Sequence, residues 1–163
     1  MNFRKEQSGF TLIEVLLNIG ITSMILVMIT FSLFIVIDSR IKNQTIAEVD
    51  QQALQVMHII TQVIRNAENI TSPSIGTSAS TLTLDVIDPV KDSTVFDLSS
   101  GIIRITEGVS SPVDLTNSRV SVTSLNFSNL SHVSTPGIVQ VEFTITHNNP
   151  EGRIEYSYTQ YYL

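Results

Sequence analysis

A run of 23 uncharged and mostly apolar residues, Val15–Ile37, constrains the fold of this chain more than any other feature. An α-helix of that length reaches about 35 Å, and the hydrocarbon core of a bilayer is about 30 Å thick. A secretory signal peptide has a shorter apolar core with a small-residue cleavage site after it, and no such site follows Ile37. The run therefore predicts a transmembrane helix that the mature protein retains.

A carboxylate interrupts the start of this apolar segment, because Glu14 is the one charged residue between Phe10 and Ile37. A carboxylate at the centre of a membrane helix costs about 2.5–3.5 kcal/mol on insertion scales. Either Glu14 finds a cationic partner, or it lies near the interface and its carboxylate reaches water. Asn18, one turn further along, either hydrogen-bonds across helices or is simply a tolerated polar residue.

Composition limits the classes of function that remain. The chain has 163 residues, which is enough for an anchor and one domain of ordinary size. Its net charge of −6 and the absence of any basic tract argue against electrostatic binding of nucleic acid. Because it has no cysteine, disulfides and thiolate chemistry are excluded. Basic residues flank the apolar run on both sides in equal number, so charge alone does not orient it.

The segment Gly9-Phe10-Thr11-Leu12-Ile13-Glu14, which ends a short basic leader and opens the apolar run, resembles the processing signal of type IV prepilins and type II secretion pseudopilins. Gly9, Phe10 and Glu14 occupy the motif positions. The resemblance implies that a prepilin peptidase cleaves between Gly9 and Phe10 on the cytoplasmic side, and that the new terminus at Phe10 is N-methylated. Many pilins also have a helix-bending proline near mid-span, which this chain lacks.

Cleavage would supply a partner for Glu14. The new α-amino group of Phe10 is a cation, and in a bundle of such helices the Glu14 carboxylate of one subunit can pair with the Phe10 amine of a neighbour. An unpaired carboxylate is disfavoured in a medium of low dielectric constant, so this pairing would favour one axial register. The resemblance thus implies an assembly role for Glu14.

The same resemblance implies partners and a location. The partners are a prepilin peptidase, other pilin or pseudopilin subunits, an inner-membrane assembly platform and membrane lipid, and nucleic acid is not expected. The protein would be a single-pass protein of the inner or cytoplasmic membrane, with its C-terminal domain outside the cytoplasm, and would then be assembled into a pilus or pseudopilus.

A second helical pattern continues the first. Apolar residues recur at three- and four-residue steps from Ile46 to Ala67, opposite a polar face. Neither glycine nor proline occurs between Gly20 and Pro73, so one continuous helix from about Phe10 to Ala67 is predicted. The expected organisation is a cleaved leader (1–9), a transmembrane and assembly helix (10–37), an amphipathic continuation (38–68) and a β-rich domain (69–163).

The remaining sequence alternates with a period of two. Residues 71–80 are predicted to be a loop. Strands are predicted at 82–86, 95–98, 102–106, 120–127, 139–145 and 154–158. The alternation shifts phase between Val122 and Leu125, which predicts a bulge or bend, and the last two strands predict an antiparallel hairpin. The fold class is therefore α+β, with a long N-terminal helix packed on a mainly antiparallel β-sheet, as in pilins.

Candidate chemistry is sparse. The chain has three histidines, none of them in a metal-binding spacing: His58, His132 and His147. Four carboxylates form a loose stretch: Asp85, Asp88, Asp92 and Asp97. Their oxygens would suit calcium, but their spacing matches no calcium loop, and a solvated acidic face is the favoured interpretation. We expect no enzymatic activity, no metal and no cofactor.

The tyrosines are concentrated near the C-terminus. All four fall within the last eight residues: Tyr156, Tyr158, Tyr161 and Tyr162. The first two are expected to face the core. The second two either pack in the same way or contact a neighbouring subunit, since exposed aromatic residues are enriched at interfaces.

The β-rich run from Gly101 to Phe127 is similar to the body of minor pilins and minor pseudopilins, and in particular to W-type minor pilins and J-type pseudopilins. The implied function is that of a structural subunit, processed by prepilin peptidase and assembled into a type IV pilus or a type II secretion pseudopilus. The alternative is a binding module at the tip of a competence or adhesion pilus that recognises a surface, DNA or a secretion substrate.

Overall fold

A computed structural model describes residues 9, 11–133, 137–148 and 159–162. The chain divides into two compact units, Met1–Arg40 and Ile41–Leu163. The predicted long helix is confirmed as α1 (Leu12–Arg65), which begins in the first unit and ends in the second, two residues before the expected end at Ala67. In the first unit the apolar side chains of α1 are exposed, and the helix is long and apolar enough to span a membrane.

The second unit carries the β-structure. Its described part contains nine strands: β1 (Ala67–Ser72), β2 (Ser78–Ala79), β3 (Leu82–Val86), β4 (Thr94–Ser99), β5 (Ile102–Glu107), β6 (Val113–Asp114), β7 (Val120–Asn129), β8 (Val139–His147) and β9 (Thr159–Tyr162). They form a five-stranded sheet in the order β1-β3-β4-β5-β6 and a four-stranded sheet in the order β2-β7-β8-β9. Every pairing is antiparallel. The α+β class is confirmed, with two sheets where the sequence predicts one.

One hydrophobic core joins the helix to both sheets. The predicted apolar stripe of α1 buries four side chains completely: Val49, Ala53, Val56 and Ile60. They belong to the same cluster as Leu84 and Phe96 of the first sheet and Phe127 and Phe143 of the second. Full burial of each such side chain contributes about 1.5–3 kcal/mol. The second half of α1 is therefore an integral part of the core.

The predicted irregularity in β7 is confirmed. The register with β8 shifts between Val122 and Ser124, so that Val122 faces Ile145 while Ser124 faces Thr144. Val122, Leu125 and Phe127 are all buried despite the change of phase. A bulge that inserts one extra residue restores the inward direction of the side chains, which explains the sequence pattern.

The segment predicted to be a loop, residues 71–80, was assigned incorrectly in part. The end of β1 and all of β2 fall within it. Among the described strands both lie at the edge of a sheet, since β1 pairs with β3 alone and β2 with β7 alone. An edge strand needs few apolar residues, and a short polar one protects the sheet against unwanted pairing. Polar composition therefore concealed them.

The tight turn between β4 and β5 of the first sheet is hydrogen-bonded to the second sheet. Ser100 and Gly101 both have positive φ, of 52° and 78°, as the two-residue turn between β4 and β5 requires. The carbonyl oxygen of Gly101 accepts a hydrogen bond of 2.8 Å from the amide of Val122 on β7. The turn thus contributes a main-chain hydrogen bond between the sheets.

Candidate functional site

The start of α1 carries the candidate assembly site. The carbonyl oxygen of Thr11 accepts hydrogen bonds from the amides of Glu14 (3.1 Å) and Val15 (3.2 Å), so Thr11 caps the helix and Glu14 lies in its first turn. Gly9 is exposed, and Phe10 lies outside the described residues. Glu14 is exposed and makes no side-chain interaction with any residue that the structure describes.

This position gives Glu14 a local role as well. The N-terminus of a helix carries a partial positive charge, which stabilises a carboxylate in the first turn. Thr11 and Glu14 also have the spacing of a capping box, a sequence signal for the start of a helix. Neither side chain makes a capping hydrogen bond to a described residue, however. Among the described residues, nothing occupies this carboxylate.

The apolar side chains that follow Glu14 are exposed and not buried within the protein. The most apolar window of 18 residues in α1 contains no buried residue, and side chains such as Leu16, Phe31 and Ile35 are more than 60% exposed. An exposed apolar surface of this size is typical of a segment that lies in lipid or packs on other helices, and by length and composition the helix is able to span a membrane.

In the second unit, a group of polar side chains joins α1 to the loop before β7. Nη1 of Arg119 lies 3.3 Å from Oε1 of Glu48, and Nδ2 of Asn117 donates to the same oxygen at 3.4 Å. The amide of Asn117 donates to Oε1 of Gln52 at 3.3 Å. We refer to these four residues as the helix–loop clamp. Sequence reasoning missed it, because Glu48 and Gln52 have the spacing of an ordinary solvated helix face.

The carboxylates of the acidic stretch accept separate local hydrogen bonds. Asp85 accepts a hydrogen bond from the hydroxyl of Thr71, and Asp92 accepts one from the amide of Val86. Asp88 accepts one from the amide of Val90 within a turn. The described residues contain no group of three or more histidine, aspartate or glutamate side chains placed to hold a metal ion.

Asp97 lies apart from the other carboxylates, on β4 opposite Arg104 of β5. Nε of Arg104 donates to Oδ1 of Asp97 at 3.1 Å, and Nη2 donates to the other oxygen. This hydrogen-bonded pair raises the pKa of Arg104 above its usual value, with a further contribution from the charge of Asp114. Asp97 is thus committed to a cross-strand ion pair.

The histidines are spread over three elements. His58 is exposed on α1, and His147 is half-buried at the end of β8. His132 lines a cleft of about 400 Å³ beside the buried side chains of Asn129 and Ser131. Asn129 donates to the carbonyl oxygen of Pro73 at 2.8 Å and accepts from the amide of Ser131 at 3.1 Å, so its buried amide holds loops together.

Two of the four C-terminal tyrosines lie in the described part of the chain. Tyr156 and Tyr158 lie outside the described residues. Tyr161 and Tyr162 belong to β9, where they face Thr144 and Phe143 of β8, and their side chains are likewise outside the description. The predicted strand 154–158 lies outside the described residues, and the residues directly after it, Thr159–Tyr162, form β9 and pair antiparallel with β8.

Together these features define a class of architecture. A long apolar N-terminal helix continues into an amphipathic half that packs on antiparallel sheets, and this arrangement is pilin-like. No protein-family model, curated protein or solved structure matches the chain.

Proposed function

We propose that this protein is a structural subunit, a minor pilin or minor pseudopilin, of a type IV pilus or a type II secretion pseudopilus. One observation carries the proposal: the segment Gly9–Glu14 stands directly at the start of an exposed apolar helix whose continuation forms the core of an α+β body. A prepilin peptidase removes residues 1–9, and the N-terminus at Phe10 is methylated. The second unit lies outside the cytoplasm.

The role of Glu14 in assembly is supported by its surroundings. Its carboxylate is exposed, has no partner among the described residues, and lies four positions after Phe10. Within one helix, the favourable N-terminal field compensates part of the cost of placing this charge near lipid. Between subunits, a neighbour's Phe10 amine supplies a full opposite charge, and pairing in low dielectric fixes the axial offset of adjacent helices.

Processing provides the direct test. The full chain is expressed in membranes with and without a prepilin peptidase, and its mass and N-terminal residue are determined. We expect loss of residues 1–9 and one added methyl group on Phe10 only when the peptidase is present. The matched control is Gly9→Leu, which places a bulky side chain before the cleaved bond and should prevent cleavage while membrane insertion continues. An uncleaved wild-type chain would overturn the proposal.

A second candidate function, a binding module at a filament tip, is favoured by one surface. Ile87, Val90 and Val109 expose most of their side chains on two neighbouring loops, β3–β4 and β5–β6. The loops are in contact, because Gly108 packs against the carbonyl oxygen of Val90. Residues near the end of α1, Val63 and Asn66, line the same cleft as Ile87. These loops therefore lie at the end of the body farthest along α1 from Ile41.

The two functions can be separated by substituting this surface. The double variant Ile87→Ser and Val90→Ser should leave processing and incorporation intact under either function. Only a tip-binding module would lose attachment to a surface or uptake of its ligand. An attachment-deficient but normally assembled filament would support the alternative, and unchanged attachment would remove it.

A further inference from the structure

The polar side chains of the apolar run form two groups with different hydrogen bonding. Five of them follow Glu14: Asn18, Thr22, Ser23, Thr30 and Ser32. The hydroxyl of Ser23 donates to the carbonyl oxygen of Ile19 at 2.7 Å, and that of Thr30 donates to Leu26 at 2.8 Å. These two side chains are satisfied within their own helix, as serine and threonine in apolar helices commonly are.

The other three side chains have no such bond. Asn18, Thr22 and Ser32 make no side-chain hydrogen bond to any residue that the structure describes. Hydrocarbon offers no water as a substitute, and an amide such as that of Asn18 is the most costly of the three to leave unpaired. The hydroxyls of Thr22 and Ser32 can bond to their own helix by a change of rotamer, as those of Ser23 and Thr30 do, so it is the Asn18 carboxamide that a lipid-embedded helix cannot satisfy by itself.

The three unpaired side chains lie along one face. They occur in a series with alternating steps of three and four residues, which we call the seam: Val15, Asn18, Thr22, Ile25, Ile29, Ser32 and Val36. This is the seven-residue repeat by which two helices pack along their length. Ser23 and Thr30 each follow a seam residue directly and point away from it. Self-satisfied polar groups thus lie off the seam, and unsatisfied ones lie on it.

The seam residues also favour a particular geometry. Every seventh residue from Val15 onward is β-branched: Val15, Thr22, Ile29 and Val36. In parallel coiled coils such positions are commonly β-branched, and a buried polar side chain in the seam, such as Asn18, costs stability unless the facing helix supplies its partner. Transmembrane helices pack with similar crossing angles, and small or hydroxyl-bearing residues such as Ser32 allow close approach.

The Asn18 side chain is complementary to the same side chain in a second copy of this chain. A carboxamide carries both a donor and an acceptor, so two asparagines at the same depth satisfy each other. Two copies inserted in one membrane with the same orientation place their Asn18 side chains at that same depth. Glu14 lies beside the seam, one residue before Val15, and stays free for the pairing with a neighbour's amine described above.

We infer that the apolar helix pairs with that of a second copy, in parallel and in register, through the seam centred on Asn18 and Thr22. This inference rests on the proposed function, since it requires the helix to be in a membrane. It adds a specific lateral contact, distinct from the Glu14 contact, that forms in the bilayer before a filament exists.

Cysteine cross-linking of the full chain tests the pairing, and the natural absence of cysteine makes each introduced thiol unique. Ile25→Cys lies on the seam, and Val27→Cys lies two residues away on the opposite face at nearly the same depth. Copies with two different epitope tags are expressed together, and membranes are oxidised with oxygen and copper–phenanthroline. We expect a disulfide-linked dimer carrying both tags for Ile25→Cys, and several-fold less for Val27→Cys.

A second substitution asks whether Asn18 stabilises the pair. In the Ile25→Cys background, Asn18→Leu should weaken dimerisation about 3- to 30-fold, the range expected from loss of an interhelical hydrogen bond. Asn18→Gln should retain most of it. Ser23→Ala is the matched control, because it removes a polar group that bonds only to its own helix.

Each outcome decides a different question. Three results would overturn the inference and leave the proposed function standing. They are equal cross-linking at positions 25 and 27, an unchanged amount of dimer in Asn18→Leu, and disulfide adducts to other proteins alone. Release of the chain from membranes by alkaline carbonate would overturn both.

Discussion

The guanidinium group of Arg119 contacts the carboxylate of Glu48 from 71 positions further along the chain, at 3.3 Å and 3.4 Å to the two oxygens. The contact joins α1 to the loop that leads into β7. The Arg119 side chain is 72% exposed and that of Glu48 only 24%. Glu48 is thus the centre of the helix–loop clamp, and Arg119 covers it from the solvent side.

This asymmetry leads to unequal effects of substitution. Arg119→Ala should lower the free energy of unfolding by less than about 1 kcal/mol, since an exposed ion pair is worth little. Glu48→Ala should lower the free energy of unfolding by more, about 1–2 kcal/mol, because Asn117 loses a hydrogen-bond acceptor as well. Urea unfolding of the full chain in detergent measures both. An equal loss in the two variants would show that the ion pair alone carries the clamp.

The turn between β4 and β5 can be tested with two glycines of nearly equal φ. Gly101 (φ 78°) would place a new Cβ 2.7 Å from Oγ of Ser121, whereas Gly76 (φ 76°) has nothing within 4 Å of that position. Alanine at either site meets the same left-handed strain, about 1 kcal/mol. Gly101→Ala should destabilise the protein further, through the contact with Ser121. Thermal melts should show a larger fall in Tm at 101, and Ser121→Ala should recover part of it.

The shared core predicts that one helix residue supports both sheets. Ile60 is completely buried, while Leu54 on the same helix is 63% exposed. Ile60→Ala should lower the free energy of unfolding by about 2–5 kcal/mol, because it removes apolar contacts and leaves a cavity. Leu54→Ala is the matched control and should change it by less than about 0.5 kcal/mol. Similar losses in the two variants would contradict the core described above.

Glu14 is expected to act in assembly and not in insertion. Glu14→Gln keeps the shape of the side chain and removes its charge, so it should leave membrane insertion intact or improve it, and should reduce incorporation into filaments by tenfold or more. Glu14→Asp keeps the charge and should retain part of the incorporation. Immunoblots of membrane and sheared-filament fractions distinguish these quantities. Full incorporation of Glu14→Gln would show that the carboxylate serves only the helix N-terminus.

Periodicity predicted most of the fold, since the strongest patterns arise from burial. The stripe containing Val49 and Ile60 and the alternation in β7 and β8 reflect side chains that must face the core, and a phase shift between Val122 and Leu125 was enough to predict a bulge. The division of the strands into two sheets was not predictable, because alternation indicates which face of a strand is buried but not which neighbour it pairs with.

In the candidate site, too, residues marked by a local sequence pattern were predictable, and residues brought together by folding were not. Gly9, Phe10 and Glu14 were found because a family-like motif marks them in the sequence. The helix–loop clamp was missed, because Glu48 and Arg119 come together only after the chain has folded. Edge strands such as β1 and β2 lacked a signal for a different reason, since a strand with one paired side needs few apolar residues.

The common core also has a mechanical consequence. A pull on the chain at Ile41 acts along the axis of α1 and reaches the body through the buried side chains of Val49, Ala53, Val56 and Ile60. These side chains share one core with residues of both sheets, so the helix must break its contacts with that core together before it detaches. Load of this kind acts in shear over several turns of helix and is shared among many contacts. A body attached through a terminal loop would instead peel away one contact at a time.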